Sequence, residues 1–334
     1  MASPGQGFTT GPLGSLAVFS ELVTTTYRNH AKDVADNVSK HNALFRKLNE
    51  GGKKRTEDGG LTIVTPLDYQ ANSTYQRYSG YDVLNVSAVD VLTAAEYPWR
   101  QVAVNLAVSG LEMRTNSGDN RIINFVKAKV KNAMRSMANG LSVDIYSDGS
   151  LSNQINGIQA LVADTPTNTV GGISATIWPF WQNLVQSAAA PIQGGAAITV
   201  SPATIESLFL PLWIKLTRGS DQPNMIVCDD NYFTYYEQSQ TSIKRYTDEM
   251  KANGGFTTLK YKGADVFFDS SGGVPANHAY FLNTDYMEWV VHRDADMSIQ
   301  EDLQSVNQDA IVKPILFMGN LVCSNRSLQG VVKA

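Results

Sequence analysis

Cysteine is nearly absent from this 334-residue chain, which has only Cys228 and Cys323. Two cysteines exclude a disulfide framework and leave too few ligands for the usual Cys-rich zinc site. The expected setting is a reducing cytoplasm. Charge is also scarce: Asp, Glu, Lys and Arg make up 17% of residues against 43% hydrophobic ones, a low charged share for a soluble protein. A surface so poor in charge is expected to end up largely covered. The 27 basic and 31 acidic residues leave a net charge of −4. That balance argues against nucleic-acid binding through bulk positive charge and against a polybasic membrane-surface binder. Long apolar runs are missing too. The longest, 208–214, is interrupted by Pro211, whereas a membrane-spanning helix needs about 20 apolar residues. The chain starts Met-Ala-Ser-Pro-Gly-Gln-Gly, without the basic start and apolar stretch of a signal peptide, so none is expected.

The sequences that carry common chemistries are absent as well. There is no G-x-x-x-x-G-K-S/T, no H-E-x-x-H and no G-x-S-x-G. Gly5-Gln6-Gly7 does not open a helix after a strand, so it is no dinucleotide loop. The four histidines, His30, His41, His278 and His292, show no i, i+4 pairing and no neighbouring cysteine, and read as surface or loop residues. Asp294-Ala295-Asp296 lacks further acidic ligands and reads as a polar turn. Asp229-Asp230 reads as the cap of a helix over 231–238. The sequons at Asn37, Asn72, Asn85 and Asn325 carry little weight without a secretion signal. No catalytic residue, metal ligand or cofactor site is expected.

What the chain does contain begins with an arm, 1–30, rich in Gly, Ser and Thr. Val34, Val38, Phe45 and Leu48 then recur at helical spacing, predicting a short helix over 31–49 that ends at Gly51-Gly52. The charged run 53–58 reads as a solvated turn. Residues 62–65 and 102–106 look like strands. Between them lie Tyr69, Tyr75, Tyr78, Tyr81, Tyr97 and Trp99 with few charges. A hairpin with arms of about ten residues reaches ~33 Å and is marginal alone in water. It therefore lies either on its own body or on another copy of the chain.

The clearest element is a long helix over 119–147. Ile122, Val126, Val130, Ala133, Met137, Leu141 and Ile145 form one stripe, Asp119 or Ser117 can cap it, and Asp148-Gly149 closes it. Its length is ~39 Å at 1.5 Å per residue. Lys127, Lys131 and Arg135 form a second, basic stripe that is a solvated face, meets acidic groups on a neighbour, or faces a polyanion. Gly140 sits inside the helix at a cost of roughly 1 kcal/mol relative to Ala, so either close packing or a bend is expected there. Beyond 150, a short helix is expected near 180–188. Another should start at Ser201-Pro202 and kink or end a turn before Pro211. Strands are expected at 225–228, 266–268, 280–283 and 287–292, and a final apolar stretch at 310–322.

This order (arm, short helix, long hairpin, long helix, mixed α/β body, terminal strand) resembles the major capsid protein of tailed double-stranded DNA bacteriophages. The wording is also similar to one capsid subfamily. It includes Gly59-Gly60-Leu61-Thr62-Ile63, Pro66-Leu67, Tyr69 and Tyr78-Ser79-Gly80-Tyr81-Asp82. Further on come Leu92-Thr93-Ala94-Ala95-Glu96-Tyr97 and Trp99-Arg100-Gln101. The same holds for Ile145-Tyr146-Ser147-Asp148-Gly149, Val170-Gly171-Gly172-Ile173 and Gly319-Asn320-Leu321-Val322-Cys323-Ser324. The resemblance covers about 30–330. It implies an α+β, HK97-type capsid fold with an N-terminal arm and short helix (1–50), an extended β-hairpin loop (51–112) and an axial domain (161–270). A peripheral domain would take 113–160 and 271–334, with the helix 119–147 as its spine.

The implied function is a non-catalytic shell protein. It would assemble in the host cytoplasm into hexamers and pentamers of an icosahedral virion capsid around non-specifically held double-stranded DNA. The implied partners are other copies of the chain, a portal protein, and separate scaffolding, protease or decoration proteins. No membrane and no cofactor are involved. Tyr75, Tyr78, Tyr81, Tyr97 and Trp99 become candidate intersubunit contacts. Lys127, Lys131 and Arg135 become candidates to face DNA, and Gly140 a candidate bend. The matching region starts too early for a fused scaffolding segment. Lys53 and Lys54 are crosslink candidates by position only. The alternatives are a cellular nanocompartment shell of the encapsulin kind and, from another class, an α/β enzyme.

Overall fold

The computed structural model describes residues 44, 48, 51–115, 125–240, 259–269, 273–301, 303–304 and 309–334. The arm, His30, His41, most of the expected helix 31–49, the cap candidates Ser117 and Asp119, and the start of the long helix lie outside the described residues. Leu44 and Leu48, one turn apart, are helical and buried.

The chain runs through β1 (Lys54–Glu57), β2 (Thr62–Asp68), β3 (Leu92–Pro98) and β4 (Arg100–Ser109) into helices α1 (Gly110–Thr115) and α2 (Phe125–Asp144). It continues with α3 (Ile158–Leu161), β5 (Thr169–Val170), β6 (Ile173–Ser174), a 3-10 turn at Pro179–Trp181, and β7 (Leu184–Ser187). Next come α4 (Ile205–Leu216), β8 (Met225–Cys228), α5 (Asp230–Ser239), β9 (Leu259–Tyr261) and β10 (Ala264–Phe268). The last strands are β11 (His278–Leu282), β12 (Met287–His292), β13 (Ser298–Ile299), β14 (Leu303–Gln304), β15 (Ala310–Cys323) and β16 (Gly330–Lys333). Two compact units result. One comprises Met1–Ser39, Ala103–Ala138 and Ile299–Ile315; the other comprises Lys40–Val102, Asn139–Ser298 and Leu316–Ala334.

The larger unit holds a sheet in the order β7-β16-β11-β8-β10-β9. Its central strand β8 is buried along its whole length, as expected for a strand covered on both faces. The expected strands at 225–228, 266–268, 280–283 and 287–292 are all present. The sheet also takes a strand from 330–333. Helix α4 lays Ile205, Leu208, Phe209, Leu212 and Leu216 into the core, with Phe209 edge-on to Phe281 at 5.0 Å.

Two expectations about α4 need correction. It starts at Ile205, not at Ser201-Pro202, and it continues through Pro211 to Leu216. A proline leaves the carbonyl four residues back without its helical donor. Here that carbonyl, on Ser207, accepts from Gln193 Nε2 at 3.4 Å. The expected helix at 180–188 is instead a 3-10 turn and β7, which pairs in parallel with β16. Asp229 caps α5 as expected, accepting from the Tyr232 N–H at 2.9 Å.

The charged run 53–58 is a strand, not a solvated turn. β1 pairs in parallel with β12, and its charges are matched across the pair. Lys53 meets Asp285 at 2.7 Å, Lys54 meets Asp296, Arg55 meets Glu288 at 2.8 Å, and Asp58 meets Arg293 at 2.9 Å. β12 runs antiparallel to the C-terminal part of β15, Trp289 opposite Leu321. The hairpin strand β2 pairs antiparallel with β3, Ile63 opposite Tyr97. The expected second arm at 102–106 belongs instead to β4, which joins β15.

In the smaller unit, Ser109 and Glu112 form a reciprocal capping box for α1. The Glu112 N–H donates to Ser109 Oγ at 3.2 Å, and the Ser109 N–H donates to Glu112 Oε2 at 3.1 Å. Lys129 Nζ reaches the same carboxylate at 3.4 Å. Of the long helix, the described part ends at Asp144, a turn before the expected 147. Ala133, Met137, Leu141 and Ile145 keep the expected buried stripe.

Candidate assembly surface

Residues 69–91 connect β2 to β3 without secondary structure of their own. A connection of this length is unusual in a compact domain and commonly functional. Local polar contacts hold it. The Tyr69 N–H donates to the Val91 carbonyl at 3.0 Å, continuing the ladder. Gln76 Nε2 donates to the Val83 carbonyl while Gln76 Oε1 accepts from the Asn85 N–H. The Ser79 N–H donates to Asp82 Oδ2 at 2.8 Å around Gly80, which has φ +51°. With the polar groups turned onto the loop itself, the apolar ones face out. Tyr75 is 83% exposed, Tyr78 65%, Tyr81 106%, and Val83 and Val86 91% each. Singly exposed apolar residues are ordinary, but so many on one loop of 23 residues make it a candidate interaction surface.

Beside this loop lies a groove of about 680 Å³ between β3 and the β5–β6 hairpin, walled by Tyr69, Ile173, Ile177, Trp178 and Phe180. Tyr69 packs edge-on to Trp178 at 5.6 Å and against Phe180 at 5.9 Å. The Glu96 N–H donates to the Gly171 carbonyl at 2.9 Å. Gly171, at φ +59°, comes so close that a Cβ there would lie 2.9 Å from Ala95 Cβ.

No family model matches the chain, and no curated protein matches it. Solved structures do match. The capsid asymmetric unit of cyanophage A-1(L) aligns with a TM-score of 0.70 at 16% identity, over 91% of this chain and 95% of that one. The capsid of cyanophage P-SCSP1u gives 0.57 at 13% identity, over 91% of each chain. The holo-SrpI encapsulin complex of Synechococcus elongatus PCC 7942 gives 0.54 at 8% identity, over 96% of each. The chain has the HK97-type fold.

Within this HK97-type chain the sequence candidates separate. Tyr75, Tyr78 and Tyr81 are all exposed on the same loop. Tyr97 is a correction: it is fully buried under the hairpin, and its hydroxyl donates to the Cys323 carbonyl at 2.8 Å. Burial pushes the Tyr97 phenol well above its ordinary pKa, so it is a neutral core residue. Trp99 is half-buried and engaged within the chain, donating from Nε1 to the Gly60 carbonyl at 3.0 Å and packing edge-on to His292. Lys131 is exposed, Arg135 is half-buried, and the Lys127 side chain lies outside the described residues. Gly140 is exposed on an unbroken α2, and a Cβ there would meet nothing within 4 Å. Among the described residues of one copy, nothing packs closely on this glycine.

Among the described residues, no group of three or more His, Cys, Asp or Glu could hold a metal. Asp294 and Asp296 form the expected polar turn, with Asp296 taken by Lys54. His278 is more than a loop residue. Nε2 contacts Asp164 Oδ2 at 2.9 Å and Nδ1 contacts the Ala276 carbonyl at 2.8 Å. Both partners are acceptors, so the geometry fits an imidazolium that donates from both nitrogens. Burial lowers the His278 pKa, but these two hydrogen bonds outweigh it and the net shift is upward. Sequence reading missed the groove residues Ile177 and Trp178. It also missed Val83 and Val86, which were visible as a valine-rich, strand-prone segment with no adjacent partner.

Proposed function

We propose that this chain is the major capsid protein of a tailed double-stranded DNA phage, assembling with itself into an icosahedral shell and performing no catalysis. The observation that carries the reading is an apolar loop that stays exposed among the described residues, on a fold found in capsids and in an encapsulin complex. The scarcity of charge supports it, because an assembly surface must leave water. In this reading 51–112 is the extended loop, 161–270 the axial domain, and 113–160 with 271–334 the peripheral domain. The Lys127, Lys131 and Arg135 stripe faces packaged DNA, where each charge offsets phosphate repulsion without base specificity. A portal and separate scaffolding, protease or decoration proteins complete the particle, which forms in the host cytoplasm. The stronger likeness to a cyanophage capsid than to the encapsulin favours a virion over a nanocompartment. Electron microscopy of the purified chain, with any scaffold supplied, tests this. Closed shells are expected; a monomer at all concentrations refutes it. Shells that package enzyme cargo instead of DNA would assign the nanocompartment.

A further inference from the structure

Among the described residues, two strand surfaces lack partners. The first is the outer edge of β3. Glu96 turns its N–H away from β2, toward Gly171. Antiparallel alternation then turns the backbone groups of Ala94 and Leu92 outward as well. Among the described residues nothing bonds them, and they open on the aromatic groove. The second surface is 83–88, Val-Leu-Asn-Val-Ser-Ala, with strongly strand-forming residues. It is assigned to no strand, and Val83, Leu84 and Val86 are exposed.

The two surfaces fit each other in character, and the part of the edge left free by the Glu96–Gly171 bond, 92 to 95, spans about 13 Å, enough to pair four of the six residues of 83–88. The loop's one cation, Arg77, makes no ion pair among the described residues, and the charged groups lining the groove are Asp90 and Glu96, both acidic. They cannot meet within one copy. The Val91 and Asp90 carbonyls are held against Tyr69 and Gln70, so the chain has no turn with which to fold 83–88 back over the outer edge of β3.

We infer that 83–88 of one copy adds as a strand to the free edge of β3 in a neighbouring copy, seating its apolar side chains in the groove between β3 and the β5–β6 hairpin. This rests on the shell reading and names the acceptor for the loop. The contact is heterologous, one surface meeting a different one. Such contacts propagate into rings or extended lattices and do not stop at a pair.

The test uses the full chain under conditions where the unaltered protein forms particles. Ala94→Pro removes the outward N–H that strand addition needs and leaves the β2 ladder bonds in place. The facing residue, Pro66, shows that proline is accepted at this position of the hairpin. Ile177→Asp places a charge in the groove at an already exposed site. Each variant is expected to melt as the unaltered subunit does and to lose at least tenfold in assembled fraction. Co-assembled Val86→Cys and Ile177→Cys chains are expected to give an oxidised dimer that neither variant gives alone. If both charge and proline variants assemble normally and no mixed dimer forms, strand addition is refuted while the shell reading stands. A mixed disulfide from the Ile177→Cys chain to an added scaffold or decoration protein refutes the choice of occupant. If the unaltered chain forms no particles, the shell reading falls, and this inference with it.

Discussion

Replacing Tyr78 and Tyr81 with Ser together separates assembly from folding more cleanly than any other change in this chain. The two side chains are 65% and 106% exposed, so their removal costs the isolated subunit almost no buried area. Substitutions of this kind commonly stay within about 0.5 kcal/mol of the parent stability. In a contact they matter far more. A tyrosine offers about 200 Å², which at about 25 cal/mol per Å² amounts to ~5 kcal/mol if fully covered. Ordering the loop and imperfect pairing consume part of that gain. Truncated aromatic anchors commonly cost about 2 kcal/mol each, which places the double variant near 4 kcal/mol per contact. That is about a thousandfold weaker association, multiplied over every contact in a shell. The assay is the assembled fraction against protein concentration by sedimentation, alongside a thermal melt of the subunit. An unchanged assembly threshold refutes the contact role. A large fall in melting temperature refutes the claim that these tyrosines lack a role in the fold.

Tyr97→Phe should do the opposite. It leaves the buried Cys323 carbonyl without its donor at a cost of about 1–3 kcal/mol, so the subunit melts lower while assembly per folded subunit is unchanged; lost assembly at unchanged stability would return Tyr97 to the surface. The His278 pair predicts a pH dependence. Its folded pKa is raised above the unfolded value near 6.5. The stabilisation is therefore fully present below about 6.5 and lost as pH rises through the folded value. Urea titrations at acid and alkaline pH should show that loss in the parent and not in His278→Gln, and identical pH profiles would refute it. Gly140→Ala meets no neighbour within 4 Å among the described residues and should gain up to about 1 kcal/mol in the subunit. A loss of stability would expose a packing partner, and a gain accompanied by fewer mature particles would mark the glycine as a bend used in assembly.

Elements with local signatures were legible in the chain. β8 reads as an unbroken apolar run, α5 as a capped helix after Asp229, and α2 as a stripe at helical spacing. The failures share one cause, which is pairing with a distant segment. β1 reads as a solvated turn because its charges find their partners some 230–240 residues away, at Asp285, Glu288 and Asp296. β7 is a strand because β16 lies alongside it. α4 survives Pro211 because a loop glutamine takes over a carbonyl. At the candidate surface the cluster of tyrosines was legible, but the burial of Tyr97 was not. Composition cannot distinguish a tyrosine under a hairpin from one at its tip, since both alternate along the same aromatic stretch.

In the shell reading proposed above, the charged strand β1 has a consequence for how assembly errors are removed. It is the outermost strand of its sheet, and its exposed side chains are bound up in ion pairs with β12 and the turn that follows it. A chain arriving along that edge would have to dehydrate or displace several of these charges before any ladder formed. Each pair is individually weak, so the barrier comes from their number along a short edge. Encounters there should dissociate quickly, long before the next copy arrives to lock them in. A growing particle would then proofread by release. Misplaced copies leave from a surface that repays nothing for staying, and those on the β3 edge, with its apolar groove, persist long enough to be built upon.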